Sequence, residues 1–204
     1  MKIFCKRTSL ILSALFGPLF LLSPAAIALP WGLPLEISDA NAQVGFEVDS
    51  TWHLIHGKTS ALTGKVWLEN EGDFASIRAD INIPVKRFDT DNGSRDERLR
   101  EVMEEPKFSA VNFHVNGTEG LCAPEVLASE KQCQATLLGV LKIRDISREV
   151  KIPVVLRKEG DGVTVSGSRA FDWSTFGIED PSILVARLDK TVTVKFTLHL
   201  ASLS

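Results

Sequence analysis

Four carboxylates crowd the stretch Asp89-Thr-Asp-Asn-Gly-Ser-Arg-Asp-Glu-Arg-Leu-Arg100, namely Asp89, Asp91, Asp96 and Glu97. Acidic residues at such spacing can bind calcium or exchange protons with a substrate. The calcium register fails. With Gly93 as the turn glycine of an EF-hand-like loop, the first and third ligand positions fall on Phe88 and Thr90, and the twelfth falls on Leu99. Acid–base chemistry needs a carboxylate moved off its ordinary pKa by burial. Here Arg95, Arg98 and Arg100 interleave with the acids, and a solvated ion-pair network accounts for the pattern. The chain has no G-x-S-x-G elbow, H-E-x-x-H, Walker loop or C-x-x-C-H. His53 and His56 are separated by Leu54 and Ile55. On a strand the two would face opposite sides, so a rim position is favoured over metal binding. His114 and His199 fall in polar registers. The expectation is no catalytic residue, no metal and no cofactor.

The elements around this stretch are strands. Apolar and polar residues alternate with period two along 44–48, 77–85, 111–115, 150–156 and 192–200, and more weakly along 62–68, 137–143 and 163–171. Each run has one apolar and one polar face, as in an antiparallel sheet wetted on one side. About eight such strands predict an all-β barrel or sandwich. Turn signals sit at Asn70-Glu-Gly72, Asn116-Gly117 and Glu159-Gly-Asp-Gly162. Ser94 and Glu97 have capping-box spacing, and Pro106 stops a helix, which predicts one short helix over 95–105. Leu99, Val102 and Met103 share its apolar face and would lie across an opening of the sheet.

The first residues read as an export signal. Lys2, Lys6 and Arg7 precede an apolar run from Leu10 to Leu22, and Ser23-Pro-Ala-Ala-Ile-Ala28 offers a small-residue cleavage site. The run is too short and broken for a span of ~20 apolar residues. Cleavage after Ala28 would leave a single domain over 29–204 in the periplasm or outside the cell. Removing those three cations leaves 20 basic residues against 26 acidic ones, a net charge of −6, which argues against nucleic acid. Cys122 and Cys133 then remain, an even number in an oxidising compartment, and are expected to form a disulfide closing a surface loop.

Several segments together resemble the YceI-like family of exported polyisoprenoid-binding proteins. They are Asp89-Thr-Asp-Asn92, Arg95-Asp-x-x-Leu-Arg100, Pro106-x-Phe108 with Phe113, Val44-Gly-Phe-Glu-Val48, Gly57 through Gly64-Lys-Val-Trp-Leu68, Leu138-Gly-Val-Leu-Lys-Ile143, Arg148-Glu-Val-Lys-Ile-Pro153, Phe171-Asp-Trp-Ser-Thr-Phe-Gly-Ile178 and the run from Lys190 to Leu200. The chain departs from the family at Asn41, where a histidine is common, and at Arg144-Asp145, where a His-Gly turn is usual. The Cys122–Cys133 segment looks like an insertion. The resemblance implies an antiparallel lipocalin-like barrel with an apolar tunnel. It also implies a non-enzymatic carrier or sequesterer of a polyprenol or isoprenoid quinone, with transient membrane contact and a homodimer as possible partners.

On that reading the tunnel-facing residues are Phe46, Val48, Ile81, Ile83, Phe113, Val115, Leu141, Val154, Val194, Phe196 and Leu198. Leu99, Val102, Met103, Phe108 and Phe176 would close or line an end. A barrel of about eight strands can hold one ligand or be filled by its own side chains. The small inward residues Gly64, Ala79 and Gly139 fit both, as room for a chain or as seats for neighbouring rings. A secreted enzyme or redox partner, and a filled-barrel interaction module, remain the alternatives.

Overall fold

Among the described residues, ten antiparallel strands form one sheet that curls into a half-barrel. The computed structural model describes residues 33–120, 122, 124–182 and 187–200. The expected export signal, 1–28, lies outside the described residues. The strands are β1 (Leu35–Ile37), β2 (Ala42–Ser50), β3 (Leu54–Thr59), β4 (Thr63–Leu68), β5 (Ile77–Pro84), β6 (Ala110–Glu119), β7 (Gln132–Ile143), β8 (Ile146–Glu159), β9 (Gly162–Asp172) and β10 (Leu188–Leu200). They lie in the order β1-β4-β5-β6-β7-β8-β9-β10-β2-β3. Among the described residues the two α-helices are α1 (Gly93–Val102) and α2 (Pro124–Glu130).

The expectation of about eight strands is corrected to ten. The additions are β1 and β3. β1 has three residues, too few to display a period. β3 reads Leu-Ile-His-Gly-Lys-Thr, in which a histidine and a glycine interrupt the apolar pattern. Both hold their places by pairing, β1 on β4 and β3 on β2. The chain after β5 also returns to the free edge of β3, where Lys58 and Asp89 exchange backbone hydrogen bonds of 3.0 Å.

The helix over 95–105 is corrected to Gly93–Val102. Its cap is Asn92, whose side chain accepts the Arg95 N–H at 3.1 Å, so the Ser94–Glu97 spacing does not act as a capping box. The helix ends before Pro106 in a Schellman arrangement. Glu105 N–H reaches Arg100 O and Glu104 N–H reaches Glu101 O, both at 2.9 Å, with Glu104 in the left-handed region at φ 50°.

Asn116-Gly117 is not a turn. It lies inside β6, where the pairing with β7 shifts register between Val115 and Gly117, as a bulge in a bent strand does. Glu159-Gly-Asp-Gly162 is a two-residue hairpin turn, with Glu159 opposite Gly162 and Gly160 at φ 61°.

Cys122 and Cys133 form a disulfide with Cα atoms 5.4 Å apart. The segment between them is more than a surface loop. It contains α2, whose Leu127 is 1% exposed and packs with Cys122, Cys133, Val154, Leu156, Val163 and Leu200. A larger core cluster runs along the rest of the inner face and includes Ala42, Val44, Ile83, Val85, Met103, Val111, Phe113, Val115, Ile143 and Phe176.

Candidate functional site

Strand register assigns the inward face. Phe46 opposes Val194 and Val48 opposes Val192 across β2 and β10. Phe196 opposes Gly167, which opposes Val154, which opposes Ala135. Two residues apart along β7, Gly139 meets Val115 and Leu141 meets Phe113, and Phe113 meets Ile81. Side chains two apart share a face. All eleven strand residues singled out as tunnel-facing therefore lie on one face of the sheet.

An apolar cavity of about 660 Å³ opens on that face beneath α1. Of the residues named from sequence, Phe46, Val48, Ile83, Val194, Leu99, Val102 and Met103 line it. Ile81, Phe113, Val115, Leu141, Val154, Phe196 and Leu198 share the face but stand outside its walls, packed in the two core clusters. Phe176 is buried, edge-on to Phe171 with ring centroids 5.4 Å apart. Phe108 lies beside Arg144, whose guanidinium is 5.8 Å from the ring centroid.

The cavity also uses residues the sequence reading passed over. Val44 and Val192 alternate in the same runs as Phe46 and Val194, so register alone identifies them. Val111 and Ile143 continue the inward rows of β6 and β7. Phe88, Ile178 and Trp52 lie outside the periodic runs, where no period marks a face. Trp52, in the β2–β3 connection, stands at the cavity edge and is 71% exposed; its neighbour Leu54 is 40% exposed.

One margin of the cavity is polar, with Ser50, His53, Thr90, Ser94, Arg95, Glu97, Arg98 and Glu101. Several of these groups are engaged within the protein. The buried Thr90 donates its hydroxyl to Asp96 at 2.7 Å, and its backbone N–H reaches the same oxygen at 2.9 Å. Arg95 donates to Thr90 O at 2.7 Å. Arg98 pairs with Glu101 at 3.1 Å. Asp89 accepts the Asp91 N–H at 2.8 Å. The charged stretch thus shapes the start of α1 and anchors it to the preceding chain.

Arg144 fastens the other end of that helix. Its guanidinium pairs with Glu104 and donates to Gly177 O at 2.6 Å. This ties the α1 C-terminus to the β7–β8 hairpin and to the 3-10 turn Trp173–Phe176. That turn is capped by Asp172, which accepts from the Ser174 hydroxyl and N–H at 2.6 and 2.8 Å. Those bonds hold the Asp172 carboxyl below its ordinary value.

On the outer face, Glu47 is likewise held low, chiefly by its hydrogen bond from Lys195. His56 lies 3.4 Å from Glu47, and His114 meets Asp80 at 2.6 Å. Among the described residues no three His, Cys, Asp or Glu side chains form a metal-binding group. Nor, among them, is any helix long and apolar enough to cross a membrane.

Comparison with known proteins agrees with this fold. A protein-family model described as the YceI-like domain matches residues 35–200. The fold is similar to that of Burkholderia cenocepacia BcnA, with a TM-score of 0.67 at 15% identity, covering 81% of this chain and 99% of that one. It is also similar to a polyisoprenoid binding domain from Saccharophagus degradans implicated in plant cell wall breakdown. There the TM-score is 0.61 at 13% identity, covering 82% of this chain and 97% of the other. A Campylobacter jejuni YCEI protein gives a TM-score of 0.57 at 15% identity over 72% and 84% of the two chains. A search of curated proteins found no match.

Proposed function

The chain belongs to the YceI-like family, and from that premise we propose that it is an exported binding protein, without catalytic activity, that carries or sequesters a long isoprenoid-type lipid. The cavity beneath α1 carries this reading. Its walls are aliphatic and aromatic, and its volume of about 660 Å³ suits a ligand-sized guest. The Saccharophagus degradans relative, described as a polyisoprenoid binding domain, supports the same ligand chemistry.

Magnitudes say how much of the ligand must enter. Burial gains ~0.8 kcal/mol per CH₂, while association costs about 4–15 kcal/mol. A guest that buries only a few carbons would not be retained. Tight binding calls for on the order of twenty buried carbons, which favours a prenyl chain over a small aromatic molecule. At the margin Arg95 and Arg98 are matched by Glu97 and Glu101, and Arg98 is paired with Glu101. A guest therefore meets compensated charge there, which suits a neutral head such as a quinone ring or an alcohol better than a phosphate.

Export is supported by the Cys122–Cys133 disulfide, a bond that persists in oxidising compartments, so the periplasm or the exterior is the expected location. Exposed Trp52 at the cavity edge suits brief contact with a bilayer, since Trp favours the lipid–water interface. Trp52→Ser should slow transfer of a prenyl quinone from vesicles several-fold while leaving final occupancy the same. An unchanged transfer rate would remove the membrane role.

The reading itself is tested by solvent extraction of the purified exported protein, with mass spectrometry of the extract and an absorption spectrum of the protein. A prenyl lipid in near-stoichiometric amount is expected. A ligand-free extract would favour a filled-barrel module, and a metal-dependent spectrum would favour a redox partner.

A further inference from the structure

We propose that the disulfide-bracketed helix α2 is a stopper that sets the longest chain the interior accepts, with Leu127 as the residue that defines the limit. This rests on the lipid-binding reading and adds a specificity determinant to it.

The inner face is unevenly packed. Toward α1 and through the middle of the sheet, Val150 and Ile152 on β8 and Val194, Phe196 and Leu198 on β10 stay half-buried although they point inward. Native interiors pack densely, so inward aliphatic residues left accessible mark unfilled space. At the opposite end the same strands are fully covered. Leu156, Val163 and Leu200 are buried, and Leu127 of α2 lies among them. Ile152, Phe196 and Leu198 pack against both clusters, so they bridge the accessible part and the plugged part. Along β10, Val194 lines the cavity and Leu200 joins the plug. Six residue steps along the strand separate them, a path of about 20 Å.

The plug is fastened from both sides. The disulfide joins Cys122, ahead of the helix, to Cys133 on β7. After the helix, Lys131 N–H returns to Leu127 O at 3.0 Å, and Lys131 O accepts the Lys158 N–H of β8 at 2.8 Å. Lys131 takes the left-handed conformation, φ 62°, that this tight return requires. On this proposal a chain that extends past the cavity, displacing the half-buried Ile152, Phe196 and Leu198, meets Leu127 and stops.

The test is a binding ladder of prenyl alcohols of increasing length, from farnesol through geranylgeraniol and solanesol to decaprenol, read by native mass spectrometry. The folded wild-type protein should bind up to a cut-off length and about tenfold more weakly beyond it. Leu127→Ala should move the cut-off to longer alcohols. Leu137→Phe, which adds bulk at a half-buried inward position bridging the two clusters, should move it to shorter ones. Should Leu127→Ala fail to fold, the Leu137→Phe ladder decides alone. An unshifted ladder in the folded variants, or a wild-type ladder with no cut-off, overturns the stopper and leaves lipid binding standing. Failure of every alcohol to bind overturns the lipid-binding reading itself.

Discussion

Phe46, Phe113 and Phe196 each lie over a glycine of the neighbouring strand. A Cβ at Gly57 would meet the Phe46 ring at 2.3 Å, one at Gly139 the Phe113 ring at 2.7 Å, and one at Gly167 the Phe196 ring at 2.6 Å. The sequence left two meanings for a small inward residue, room for a guest or a seat for a ring. At Gly139 the ring occupies the space, and a Cβ there would also stand 2.4 Å from His114 O. Gly139→Ala should therefore cost about 1–3 kcal/mol through overpacking. A denaturant melt of the variant matching wild type would show that the ring is not held there. The inward aliphatic residues were legible from period-two spacing. Ring placement depends on the neighbouring strand, which one strand's pattern does not reveal.

At the scale of elements, the eight alternating runs, five clear and three weaker, all form strands. The two that were missed, β1 and β3, are short or lack alternation and are defined by their partners. The helix over the cavity was legible from its apolar face, since Leu99 and Val102 pack on the core and Met103 is buried. Its limits were not, because Asn92 and Glu104 act through backbone geometry that spacing alone does not fix. Asn116-Gly117 has the composition of a turn, yet the strand continues through it as a bulge. The segment between the cysteines was legible as a disulfide loop. The role of Leu127 was not, because the adjacent Val126, Leu127 and Ala128 in a seven-residue helix carry no period.

At the scale of the molecule, the half-barrel is built asymmetrically. One end is covered by a helix anchored at Thr90–Asp96 and at Arg144–Glu104, with an apolar cavity beneath it. The other is packed shut around α2. Such a shape suits the proposed retention of one long guest entering from one side; the family match and the structural relatives agree with the fold. The most direct measurement is native mass spectrometry of the purified exported protein beside its Ile83→Trp variant, with circular dichroism to establish that the variant is folded. Ile83 lines the cavity wall, and an indole there would fill the guest's space. The account predicts a prenyl-lipid adduct on the wild-type protein and none on the folded variant. The same adduct on both, or none on the wild type, would contradict it.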